Sequence, residues 1–125
     1  MERLKNLCET AIKYGASFGK KLDYSDKSID ELEKILEIYH VEFKASDSSD
    51  EEIKHAALIF GAYVGETMLK NGFDKKGYTW DISDDGTPFI KGKRFMYPVD
   101  KVFRRLKYGA EDSISLFYDE SFVKD

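Results

Sequence analysis

The sequence predicts an α+β domain dominated by helices, with three N-terminal helices, a central β-hairpin or three short antiparallel strands, and two C-terminal helices. Two observations lead there. Apolar residues recur at helical spacing from residue 3 to about residue 70, the period becomes alternating after Gly72, and helical spacing returns after Pro98. With 125 residues, 42% of them apolar and 35% charged, the chain is long enough to close one core without metal or disulfide, so residues 1–125 read as one domain.

The first helix spans residues 3–22, with Leu4, Leu7, Cys8, Ala11, Ile12, Gly15, Phe18, Gly19 and Leu22 on one stripe. The second opens at Ser28, where Glu31 three residues later offers a reciprocal capping box. Ile29, Leu32, Ile35, Leu36 and Tyr39 then face inward, and Asp30, Glu33, Lys34 and Glu37 face away. After the polar linker "KASDSSDEE", Ser49 with Glu52, or Ser48 with Glu51, caps a third helix that runs to about Lys70. Its apolar residues cover nearly the whole circumference, which marks it as the central helix.

"GYTWDIS" and "TPFIKGKRFMY" read as strands around the turn "DDG", with Arg94 to Tyr97 available as a third. Pro98 suits the first turn of a helix whose buried stripe is Val99, Val102, Phe103 and Leu106, and Gly109 stops it. A last helix from about Asp112 buries Ile114, Phe117, Tyr118 and Phe122.

Gly61 and Gly65 sit inside the third helix, where each costs about 1 kcal/mol relative to alanine. A phosphate loop would place such glycines before a helix rather than within it. Ala57, Gly61 and Gly65 therefore form a small-residue row, and the matching row Ala11, Gly15 and Gly19 predicts that the first helix packs closely against it. Glu66 has two readings: an ion pair with Lys70 one turn on, or an acceptor beneath the hairpin for Trp80 or a ligand.

Charge and motifs narrow the function. The net charge is −4, and residues 22–66 hold 12 acidic against 4 basic side chains while residues 70–108 hold 10 basic against 5 acidic. An acidic pole can steer a basic partner. The acidic total argues against a general nucleic-acid binder, although Tyr78, Trp80, Phe95 and Tyr97 lie among Lys91, Lys93 and Arg94. There is no GxSxG, HExxH or P-loop, and Cys8 with His40 and His55 supplies no metal motif, so no catalytic residue, metal or cofactor is assigned. "MERLKNLCET" contains no continuous apolar run, and a cytoplasmic protein without a membrane span is expected.

The segments "LDYSDKSIDELEKIL", "AALIFGAYVGETMLKNG", "GYTWDI" and "YPVDKVFRRLKYGAEDSISLFYD" together resemble a group of small bacterial proteins of uncharacterised function. That group pairs a "DYS…S…LD…IL" opening with a "GAYLGE" helix, a tryptophan strand and a proline-led helix ending in glycine. Here Glu33 stands at an aspartate-like position, and valine replaces leucine in "GAYVGE". The resemblance covers about residues 22–118 and implies binding a partner, in the manner of immunity-type or accessory proteins of bacterial toxin systems. The resulting expectation is a non-enzymatic protein-interaction domain with a basic protein partner. Its alternative is a small-ligand domain with a pocket between the third helix and the hairpin. The candidate binding residues are Glu66, Tyr78, Trp80, Arg94 and Tyr97.

Overall fold

The computed structural model describes residues 2–124. Helices α1 (Glu2–Ser17), α2 (Asp26–Ala45) and α3 (Asp50–Met68) precede strands β1 (Thr79–Ile82), β2 (Pro88–Lys91) and β3 (Phe95–Met96), and α4 (Pro98–Tyr108) and α5 (Ile114–Lys124) follow. This is the expected α+β order, with all three strands present in one antiparallel sheet β1-β2-β3. Trp80 lies opposite Ile90 and Ile90 opposite Met96, so these three side chains share the face that meets the helices.

Local chemistry explains the boundaries. Ser49 Oγ accepts from the Glu52 amide and Glu52 Oε1 accepts from the Ser49 amide, closing the predicted capping box of α3. Pro98 starts α4, and Gly109 at φ +106° ends it. The first helix stops earlier than its apolar stripe indicates. The Lys20 amide reaches back to Gly15 O and the Gly19 amide to Ala16 O, while Gly19 takes φ +72° in a Schellman ending. Leu22 then folds back over Gly15.

The start of α2 also differs from expectation. Ser25, not Ser28, is the N-cap, and its hydroxyl accepts from the Ser28 amide. Ser28 is buried and donates its hydroxyl proton to Ser25 O at 2.7 Å. That leaves Tyr63, 2.6 Å away, to donate to Ser28 Oγ while its own oxygen accepts from the Tyr24 amide at 2.8 Å. Glu31 turns instead toward Lys20 and Lys34.

Helix α3 runs through the middle, with Ile53, Phe60, Tyr63, Val64 and Met68 buried alongside Ile59, Ala62 and Thr67. Its glycines do not receive α1. A Cβ on Gly61 would stand 2.6 Å from Val99 Cα at the start of α4, and one on Gly65 would stand 2.2 Å from Trp80 Cη2. The first helix still packs on α3, but at Ala62, through Leu4 and Cys8. The small-residue row identified the close approach correctly and its partner wrongly, because spacing along one helix says nothing about which neighbour uses the gap.

Glu33 does not face solvent. Its Oε2 accepts from buried Arg105 Nε at 2.5 Å, and its Oε1 accepts from Ser113 Oγ and from the Ile114 and Ser115 amides at the start of α5. Arg105 also donates to Glu37 at 2.9 Å, whereas the basic run "KVFRRLK" reads in sequence as a solvated face around a core-facing stripe. One carboxylate thus joins α2, α4 and α5, and it adds negative charge where the α5 amides have no helical acceptor. Burial alone would raise the Glu33 pKa, but the hydrogen bonds from Ser115, Arg105 and Ser113 outweigh it and hold the group below its ordinary 4.5.

A carboxyl depressed by folding stabilises the native state above the unfolded pKa, and that contribution is lost as pH falls through the folded one. Glu33→Gln should therefore destabilise the protein at neutral pH, and its deficit relative to wild type should shrink on going from about pH 7 to about pH 3. Urea unfolding across that range checks both parts. Glu33→Ala, which leaves buried Arg105 with Glu37 as its remaining carboxylate and removes the acceptor of the α5 amides, should cost more, up to about 3–5 kcal/mol.

Candidate functional site

Five residues were expected to form one binding surface, and the structure distributes them over three places. Glu66 and Trp80 meet: the indole Nε1–H donates to Glu66 Oε1 at 3.0 Å. Lys70 lies 3.7 Å from Glu66 Oε2. Both readings of Glu66 thus hold at once, one on each oxygen. Tyr78 is buried with its ring edge against Phe73, where it supports the hairpin and presents nothing to a partner. Arg94 donates to Ser121 O, tying the end of the hairpin to α5, and Tyr97 stacks on Phe89. These last two border a separate cavity of about 410 Å³ near Arg104, Phe117 and Glu120.

Around Glu66 and Trp80 lies a cavity of about 570 Å³, which also touches Leu4, Cys8, Tyr24 and Lys70. Tyr24 carries the local strain. It adopts φ +65°, a left-handed conformation that costs a side-chain-bearing residue of order 1–3 kcal/mol. Its amide donates to Tyr63, its carbonyl accepts from Asn71 Nδ2 at 2.8 Å, and its ring stacks on Tyr63 at 5.1 Å. The Tyr24 side chain packs against Leu4 and Cys8, and Lys70 Nζ sits 5.0 Å above the ring. Burial, then the Glu66 charge, pushes Cys8 up to about 12, so the thiol is protonated and a poor nucleophile at neutral pH. Burial, then Cys8, raises Tyr24 as well.

A third concavity of about 530 Å³ opens between α1, α2 and α3. Tyr14, Tyr39 and Phe43 form its walls around Phe60, with ring centroids 5.4 Å apart for Tyr39 and Phe60 and 5.9 Å apart for Tyr39 and Phe43. Glu51, Glu52 and His55 border it, and no lysine or arginine lines it. None of these residues was among the expected site residues. The available signal was the acidic "SDEE" that opens α3, but only the fold brings aromatic side chains from three helices beside it.

Elsewhere the expected charge asymmetry is partly cancelled. Basic residues of α4 reach acidic partners on other segments, Lys107 to Asp50 at 2.8 Å and Arg105 to Glu33 and Glu37. Among the described residues no cluster of three His, Cys, Asp or Glu side chains is placed to hold a metal, and no helix is long and apolar enough to cross a membrane. No family model, curated protein or solved structure matches the chain.

The Trp80–Glu66 bond gives a direct check on the hairpin cavity. Glu66→Ala removes the acceptor of a partly buried indole and should cost about 1–3 kcal/mol, with a shift in the emission of the sole tryptophan. Glu66→Gln keeps an acceptor oxygen and should stay closer to wild type. Fluorescence-detected urea unfolding of both variants separates these outcomes, and equal behaviour would mean that Glu66 does not hold Trp80.

Proposed function

We propose that this chain is a protein-interaction domain that receives a basic segment of its partner in the aromatic groove between α1, α2 and α3. The observation that carries this reading is the composition of the groove: aromatic walls, two glutamates at the rim and no basic lining residue. Aromatic faces attract ammonium and guanidinium groups, by about 0.5 kcal/mol where exposed and 2 or more where desolvated. Tyr14 is 41% exposed, which leaves it free to anchor contact without disturbing the core. Glu51 and Glu52 add attraction for a cation entering from solvent, and this favours association rate and specificity.

The family resemblance gives the reading its biological form, a toxin-neutralising or accessory protein acting by contact rather than by turnover. The anchoring surface differs from the one expected from the hairpin aromatics. Tyr78 is enclosed, whereas Tyr14, Tyr39 and Phe43 line an open groove. Nothing in this reading requires a catalytic group.

The test uses a synthetic amphipathic peptide with leucine and lysine at helical spacing, and a counterpart with glutamate in place of lysine. The lysine peptide should bind, perturb the amide resonances of residues lining the groove, and weaken as salt rises. Tyr14→Ala and Glu51→Lys should each weaken it by roughly tenfold, which corresponds to about 1.4 kcal/mol. Equal binding of the two peptides, or affinity indifferent to both substitutions, would contradict the reading.

A further inference from the structure

We infer that the cavity beneath Trp80 is a second, independent site, and that it takes a small zwitterion bearing an ammonium and a carboxylate on adjacent positions together with an apolar side chain. It shares no lining residue with the aromatic groove, so it stands or falls separately from the proposed protein interaction.

The size is appropriate. A volume of about 570 Å³ lies within the range of small-molecule sites, and the lining comes from α1, the Tyr24 loop, the end of α3 and β1. The polar groups are arranged as a pair. Glu66 is oriented by the indole on one oxygen and by Lys70 on the other, and each oxygen has a further lone pair to offer. Lys70 holds three donors and lies 3.7 Å from Glu66 and 5.0 Å from the centre of the Tyr24 ring. An acceptor and a donor of opposite charge therefore stand 3.7 Å apart at one edge of the cavity.

That pairing selects the ligand class. A lone cation would be drawn to Glu66, Glu9 and Glu2 but repelled by Lys70 and Lys5 on the same lining, and a lone anion would be drawn to the two lysines but repelled by the three glutamates. A zwitterion places its ammonium on the carboxylate and its carboxylate on the ammonium, and replaces both interactions at once. Leu4 and Trp80 then offer apolar surface to the remainder of the molecule. Tyr24, fixed by Tyr63 and Asn71 in its left-handed conformation, closes the side nearest Cys8 without requiring rearrangement on binding. Cys8 contributes surface only, because its thiol is buried and protonated.

The experiment titrates the full chain with L-phenylalanine, with phenethylamine, which lacks the carboxylate, and with 3-phenylpropionate, which lacks the ammonium. Trp80, the sole tryptophan, reports occupancy by its emission, and the thermal midpoint gives a second readout. L-Phenylalanine should alter emission and raise the midpoint at millimolar concentration. Both singly charged analogues should bind at least about tenfold more weakly, the loss expected for one charged hydrogen bond. Lys70→Gln, which leaves the Trp80–Glu66 bond in place, should weaken L-phenylalanine by about tenfold or more, and Glu51→Lys in the other groove should leave it unchanged. Similar binding of all three probes, no binding by any of them, or unaltered affinity in Lys70→Gln overturns the inference.

Discussion

The second half of α3 is enclosed by its neighbours and can be approached at its backbone only where it has no side chain, which happens at two places. Val99 fills the space at Gly61 and the Trp80 indole fills the space at Gly65. These two contacts set the position of α4 and the sheet against the central helix. The conformational cost of glycine inside a helix is offset by packing at a distance that alanine would exclude. With Trp80 seated on Gly65, its Nε1 points at Glu66 one residue further on, and the hairpin cavity acquires its polar edge. The site chemistry thus follows from a packing constraint in the core.

The junction of α2, α4 and α5 is held differently. There Glu33 gathers Arg105, Ser113 and two α5 amides, and a single side chain fixes α2, α4 and the start of α5. Tyr118 adds a bond to Asp26 and receives one from Asn71, which in turn holds the Tyr24 carbonyl. The strained Tyr24 is therefore connected through Asn71 to α5, and through its amide to Tyr63 and Ser28. Two polar networks meet at the loop that borders the hairpin cavity. The aromatic groove, at the other end of the α1–α3 contact, relies on apolar packing of Tyr39 and Phe60 instead.

Features set by neighbours in sequence were legible. The Ser49–Glu52 box, Pro98 at the start of α4, Gly109 at its end, and the change of period after Gly72 each depend on a few adjacent residues. Ser28 misled because "SDKSIDE" contains two serines three residues apart, and only the buried Tyr63 hydroxyl decides which of them caps. Glu33 and Arg105 are 72 residues apart, so periodicity placed one on an acidic face and the other on a basic one without pairing them. Spacing alone offers Glu66 as an acceptor for Trp80, whereas Tyr39 reads only as one inward position of an amphipathic helix and nothing in sequence links it to Tyr14 or Phe43. A groove made from three helices leaves no signature in any one of them.

The most direct test of the central constraint is a double-mutant cycle between Gly65→Ala and Trp80→Leu, followed by urea unfolding. Alone, Gly65→Ala should destabilise by about 1–3 kcal/mol through overpacking against the indole, despite the gain in helix propensity. In the Trp80→Leu background most of that cost should vanish, giving a coupling energy of similar size. Gly61→Ala, which meets the Val99 backbone instead, should remain costly in both backgrounds. Additive effects of Gly65→Ala and Trp80→Leu would contradict the claim that the indole occupies the space left by Gly65.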